Sequence, residues 1–332
     1  MDPAILNRRT FFLLTAGAGL ASAAPNDLEA EWRAIAREAD GTAGAAALHL
    51  GSGRRANLNG DDRFPLASVC KLPIAMAVLE MVSERRLSLG LRMEIPPYDV
   101  WPGVSPIAER WPKEKWFRLD EMVELMIEKS DNTAVQTLFR AAGRAVGMGL
   151  RMKEWGIDGM RLDRDERTCG LEAMGVRNIP PVKEWTPHMS SALVGQVPAA
   201  EQAVSLRRFL DDPRDTATPN ATLALLQKLY GGKILPGDLT GRLRGFLEKT
   251  TTGKDRIKGL LPPQTVVAHK TGTTADAGDL NGSTNDVGVI TLPNRSQVAV
   301  AFYLKGSTRP LAAREAIIAR MARAAYDWAL RG

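Results

Sequence analysis

Apolar positions recur at helical spacing over Asp27–Ala39, where Leu28, Trp32, Ile35 and Ala36 share one side. Two short apolar runs follow, Ala45–Leu50 and Arg55–Leu58. They flank Gly51-Ser52-Gly53 and predict a β-hairpin. Phe64-Pro65-Leu66-Ala67 leads into a helix predicted from about Ser68 to Glu84. Helical spacing returns over Leu119–Lys129, Asn132–Ala142 and Gly149–Trp155. Residues 171–210 carry Pro180-Pro181, Pro187 and Pro198 and read as irregular chain. Ala221–Tyr230 and Leu239–Leu247 are again helical. Thr265–Lys270, Asp286–Leu292 and Gln297–Tyr303, rich in Val and Ile, predict strands, and Leu311–Leu330 predicts an amphipathic helix.

Strands therefore lie toward both ends and helices fill the middle. The simplest architecture is a mixed α/β domain built from 24–62 and 217–332, with an all-helical domain inserted at 63–216. The 332 residues fit one large or two intimate domains, without internal repeats. Residues 1–23 read as an export segment. Arg8-Arg9 precede an apolar stretch to Leu20, and Ala21-Ser22-Ala23 offers a cleavage site. The arginine pair before Phe11-Phe12-Leu13 resembles a twin-arginine signal, with an ordinary secretory signal as the alternative. No later segment is apolar enough to suggest a membrane span, so the expected product is an exported, periplasmic or secreted bacterial protein acting as a monomer.

Composition narrows the function. Hydrophobic residues are 44% and charged residues 25%, as in folded soluble proteins. The net charge of +6 comes without a basic run interleaved with aromatics, which argues against a nucleic-acid partner. His49, His188 and His269 are isolated and show no zinc-ligand spacing, and nothing near them suggests a Ser-His-Asp triad. Neither a metal nor an organic cofactor is implied. Cys70 and Cys169 allow one disulfide or two free thiols.

Three short motifs carry chemistry. In Ser68-Val69-Cys70-Lys71, positions i and i+3 of a helix share a face, so the lysine reaches the serine hydroxyl. A serine needs such an adjacent base to become a nucleophile, and a helix start adds N–H donors for an oxyanion. Alone this spacing is common. In Ser130-Asp131-Asn132, Asp131 reads as a helix N-cap; Ser130 is a candidate proton relay and Asn132 a donor to a substrate amide. Lys270-Thr271-Gly272-Thr273 ends an apolar strand. There Lys270 can hold an anionic group, Gly272 permits close backbone approach, and the Thr273 N–H can complete an oxyanion hole with that of Ser68.

Together, in this order, the motifs resemble those of penicillin-binding proteins and class A β-lactamases. Phe64–Lys71 is similar to the lactamase segment around the nucleophile, and Arg161–Glu166 to the start of its omega loop. The resemblance implies an antiparallel sheet flanked by N- and C-terminal helices, an inserted helical domain, and a β-lactam as small-molecule substrate. It implies that Glu166 activates the deacylating water, that Lys71 and Glu166 are both candidate bases for acylation, and that Arg164 and Asp215 close the neck of an omega loop at about 163–216. Thr251-Thr252-Gly253 with Arg256 resembles the segment that supplies an arginine for the substrate carboxylate, beside Lys270, Thr271 and Thr273.

The chain also departs from the family. Gly170 stands where an asparagine usually helps to fix the water. The omega loop is considerably longer, either a lid or a surface excursion. The hairpin through 275–282 looks longer, and Val104 replaces a common aromatic near Trp101. Docking of the loop near the Ser68 helix would bring Cys70 and Cys169 together, which makes a disulfide between them one possibility beside two free thiols. The reading is an acylating and deacylating β-lactamase. Its rivals are a D-alanyl-D-alanine peptidase or transpeptidase, a non-catalytic β-lactam or cell-wall sensor, and an esterase.

Overall fold

The computed structural model describes residues 27–101 and 103–331; the export segment expected at 1–23 lies outside them. Helix α1 (Asp27–Ala36) leads into the hairpin β1 (Thr42–His49) and β2 (Arg55–Leu58). A short strand β3 (Phe64–Pro65) enters a 3-10 turn at Ala67–Cys70 and then helix α2 (Lys71–Ser83). The strand pair β4 (Arg92–Glu94) and β5 (Trp116–Arg118) encloses α3 (Pro106–Arg110). Helices α4 (Leu119–Glu128), α5 (Asn132–Ala141) and α6 (Arg144–Glu154) follow. Next come α7 (Glu166–Ala173), α8 (Met189–Gly195), α9 (Ala199–Leu210) and the short β6 (Thr216–Ala217), which pairs with β3. Helices α10 (Pro219–Tyr230) and α11 (Gly237–Glu248) precede β7 (Val267–Thr273). The pair β8 (Asp276–Ala277) and β9 (Leu280–Asn281), then β10 (Ser283–Thr291), β11 (Gln297–Lys305) and α12 (Leu311–Leu330), complete the fold.

The main sheet is antiparallel, in the order β2-β1-β11-β10-β7. Both faces are covered, so β1 and β10 are buried along nearly their whole length. Small residues at Ala43, Ala45, Ala46 and Ala47 let helices pack closely on each side of β1. On one face, α1 and α12 close over Trp32, whose indole N–H donates to Met321 O at 3.0 Å. On the other, α10 packs against β11, where Thr222 and Tyr303 share a hydrogen bond of 2.8 Å. Helix α2 is apolar all round, as a central helix must be. It is buried among α4, α5, α6 and α11.

Two expectations need correction. The Ser68–Glu84 helix begins as a 3-10 turn, because Ala67 takes φ +45 and the regular helix starts only at Lys71. Residues 171–210 are not irregular: they hold the end of α7 with α8 and α9. The prolines punctuate rather than break. Pro198 is the N-cap of α9, whose Leu206 and Phe209 are buried. This region builds its own small apolar clusters, one around Trp185 and one around Phe209. Trp185 stacks on Trp101 at 6.4 Å between ring centroids, with the Arg167 guanidinium 4.6 Å from its ring. The loop before β10 forms only the two-residue pair β8 and β9.

A satellite cluster opens without the main core. Trp185→Ala is expected to speed trypsin cleavage after the exposed Arg177 and Lys183 by about tenfold or more, by raising the locally opened population. Thermal melting of the whole is expected to fall by only a few degrees. Gel-resolved limited proteolysis beside calorimetry checks both.

Candidate active site

The sequence motifs converge at the seam between the sheet and the helices. Ser68 sits in the 3-10 turn, half-buried, and Lys71 opens α2 with no exposed surface. Lys71 Nζ donates to Ser68 Oγ at 2.9 Å, Ser130 O at 2.8 Å, Ser130 Oγ at 3.2 Å and Asn132 Oδ1 at 2.5 Å. Ser130 bridges α4 to α5 with φ +59, a conformation that turns its side chain and carbonyl toward Lys71. Asp131 fixes this turn. Its buried carboxylate caps α5 through Ala134 N at 2.8 Å and accepts from Ser105 Oγ and Ile107 N, both at 2.9 Å.

Strand β7 supplies the opposite wall. Lys270 Nζ, fully buried, donates to Ser130 Oγ at 3.0 Å, so this one hydroxyl lies between two lysines. Burial, then the charge of Lys71, pushes Lys270 down to about 7. Gly272 admits no side chain: a Cβ there would lie 2.7 Å from Leu66 O and 3.1 Å from Val69 N. The strand thus runs directly against the Ser68 turn. Asn285, which the sequence reading did not single out, donates to Pro65 O at 2.8 Å and Leu66 O at 3.2 Å. Thr252 and Thr271 share a hydrogen bond of 2.7 Å.

Arg256 stands behind Thr273 and is 4% exposed. It donates to Gly272 O at 3.1 Å, Asn285 O at 2.8 Å and Thr273 Oγ1 at 2.7 Å, and pairs with Glu315 at 3.1 Å. Its link to the cleft runs through the Thr273 hydroxyl. With Arg256 donating to that oxygen, the Thr273 proton is free to point outward. His269 alternates to the other face of β7, where it pairs with Asp286 at 2.9 Å. Among the described residues no group of three or more His, Cys, Asp or Glu side chains is arranged to hold a metal. Nor is any helix among them long and apolar enough to cross a membrane.

Arg164 and Asp215 meet at the base of the 163–216 segment. Arg164 Nε donates to Asp215 Oδ2 at 2.5 Å, and Nη1 reaches Glu172 at 2.6 Å and Asp212 at 3.2 Å. Asp215 also accepts from the Asp163 and Arg164 amides at 2.6 and 2.9 Å. Asp165 caps α7 through Thr168 N at 2.8 Å, so Glu166 lies in its first turn. The Cys70 thiol donates to Glu166 Oε2, with Sγ 3.7 Å away. Of the two possibilities for Cys70 and Cys169, the structure has two free thiols and no disulfide. Cys70 is engaged with Glu166 instead. Burial pushes both thiols well above their ordinary range, with Glu166 reinforcing this at Cys70 and Asp215 at Cys169. Neither then supplies the thiolate that exchange requires. Gly170 faces open space, with no atom within 4 Å of where its Cβ would lie.

Beside this cluster lies a cavity of about 450 Å³. Ala67, Asn132, Glu166 and Thr273 line it on the chemical side, while Val135, Phe139, Met174 and Val194 make an apolar interior. Trp101, held by Trp185, also lines it. Val104 is 57% exposed.

Residues 27–329 match the β-lactamase enzyme family. Over 276 residues the chain is 28% identical to β-lactamase VEB-1 of Pseudomonas aeruginosa, covering 82% of this chain and 80% of that one. It is 27% identical over 311 residues to the carbapenem-hydrolyzing β-lactamase KPC of Klebsiella oxytoca, covering 93% and 92%. A solved β-lactamase from Chitinophaga pinensis superposes with a TM-score of 0.76 at 30% identity, covering 91% and 99%. An ancestral class A β-lactamase does so with 0.72 at 30% identity, covering 90% and 98%. The chain belongs to the β-lactamase enzyme family, as a class A serine β-lactamase.

Removing Arg164 would leave the buried Asp215 without its cation, and Asp212 and Glu172 with only the exposed Arg214. Arg164→Ala is expected to cost about 3–5 kcal/mol, the scale for breaking one side of a buried ion pair. Urea unfolding of both proteins measures it.

Proposed function

We propose that the protein hydrolyses β-lactams outside the cytoplasm, as a monomer, through an acyl ester on Ser68. The observation that carries this is the Ser68–Lys71–Ser130–Lys270 chain, with every link at 3.2 Å or less. Ser68 Oγ attacks the lactam carbonyl, and Lys71 Nζ, 2.9 Å away and acting in its neutral amine form, takes the serine proton. The Ser68 and Thr273 amides stabilise the oxyanion. As the lactam C–N bond breaks, Ser130 Oγ gives its proton to the leaving nitrogen and regains one through Lys71. Lys270, Thr271 and Thr273 hold the substrate carboxylate, with Arg256 orienting Thr273, and Asn132 binds the side-chain amide.

Deacylation then needs a water. Glu166 takes its proton while the oxygen attacks the ester carbonyl carbon; the bond to Ser68 Oγ breaks and the serine recovers its proton. The position of Glu166 in the same cavity as Ala67 and Asn132 supports this reading. Nitrocefin turnover by the purified mature protein tests it. Ser68→Ala is expected to abolish turnover and to form no adduct. Glu166→Ala is expected to acylate and then accumulate acyl-enzyme, seen as a mass increase. Unchanged turnover in Glu166→Ala would remove Glu166 from the mechanism.

Lys270 sets a pH dependence. With its pKa held down at about 7, it is charged below that pH and neutral above it in the free protein. For a carboxylate-bearing β-lactam, kcat/KM is expected to fall above pH 7, approaching about tenfold per unit. A bound carboxylate favours the charged lysine, so kcat should fall only at higher pH. Parallel kcat and kcat/KM profiles across that range separate the two.

A further inference from the structure

Among the described residues, the Glu166 carboxylate receives one hydrogen bond, from the Cys70 thiol at 3.7 Å. Two other sources of support are engaged elsewhere or absent. Lys71 donates to Ser68, Ser130 and Asn132. Gly170, one turn further along α7, has no amide side chain to offer, and open space lies where one would project.

Cys70 is well suited to hold a carboxylate. It ends the 3-10 turn that carries Ser68 and directly precedes Lys71, so its backbone is fixed by the same contacts that fix both. Burial and then the Glu166 charge push its thiol well above the ordinary range. At neutral pH it keeps its proton, and toward a carboxylate an S–H group can only donate. The bond engages Oε2 and leaves Oε1 for water.

We propose that Cys70 is a positioning residue for Glu166, its S–H bond to Oε2 holding the carboxylate in line for the deacylating water. This rests on Glu166 as the deacylation base. No proton passes through Cys70: Glu166 takes one from water, the water oxygen bonds to the ester carbonyl carbon, and the ester bond to Ser68 breaks. The thiol acts only by fixing the acceptor.

The test separates acylation from deacylation by stopped flow and intact mass, on the full chain with nitrocefin. Cys70→Ala and Cys70→Val, the second filling the thiol's volume without a donor, are expected to acylate normally. Both should deacylate about tenfold more slowly, the scale of one hydrogen bond. Then kcat and KM fall together, kcat/KM holds, and acyl-enzyme accumulates. Cys70→Ser restores a donor and is expected to recover deacylation to within about threefold of the parent. A role in packing alone would slow both phases together and would not be rescued by serine; that outcome overturns the proposal, as does parent-like deacylation in Cys70→Ala and Cys70→Val. Glu166→Ala runs alongside. If it accumulates acyl-enzyme while the Cys70 variants do not, only the Cys70 role is lost. If it deacylates normally, the reading of Glu166 fails as well.

Discussion

The contact between β7 and the turn that carries Ser68 is the constraint on which the site depends. It exists because Gly272 has no Cβ, which would otherwise lie 2.7 Å from Leu66 O. Asn285 on the neighbouring strand β10 holds the turn from the same side through two backbone carbonyls. Lys270, Thr271 and Thr273 ride on one partner, and Ser68 and Lys71 on the other. The width of the catalytic cleft is thus set by backbone packing, backed by a strand pair that is almost wholly buried. A larger residue at 272 would separate every pair of groups across the site.

The electrostatics follow from this closeness. Two lysines with no exposed surface converge on Ser130, although burying either cation is unfavourable. Lys71 is compensated by four acceptors; Lys270 is left poised close to neutrality. The backbone is also held away from its relaxed state. Ala67, Ser130 and Asp215, none of them glycine, all take positive φ around the cavity. Such conformations cost about 1–3 kcal/mol each and persist where surrounding contacts overdetermine them. Here those contacts are the Asp131 network and the carboxylate cluster at Arg164.

The sheet and the three motifs were legible because they write themselves into short windows. Val and Ile runs marked β7, β10 and β11, and α12 has the same limits in sequence and structure. Ser68, Lys71, Ser130, Asn132 and Lys270 were found by spacing, and the structure joins them in one hydrogen-bonded cluster. What depends on contacts between distant segments was harder to read. The helices α8 and α9 were hidden because their prolines act as N-terminal signals rather than breakers, and the apolar partners they need lie partly on α7 and near Trp101. The sequence marked Arg256 for the substrate carboxylate; its bonds to Gly272 O, Asn285 O and the Thr273 hydroxyl could be seen only in the fold. The nearness of Cys70 to the 163–216 segment was anticipated, but its partner is a carboxylate and not a second sulfur. Nothing in the sequence marked Asn285, a polar residue in an apolar strand, except that it must find partners when buried.

The division between the main core and the clusters around Trp185 and Phe209 has a consequence for how this protein can change over time. Residues such as Met174 and Val194 line the cavity yet belong to, or pack against, small clusters outside the core that holds the helices and sheet together. Substitutions there alter the shape presented to a substrate while drawing little on the stability of the rest. The segment is a place where new substrate preferences can be sampled at low risk of losing the fold, whereas the Gly272 contact, which binds shape and chemistry together, leaves almost no room for variation.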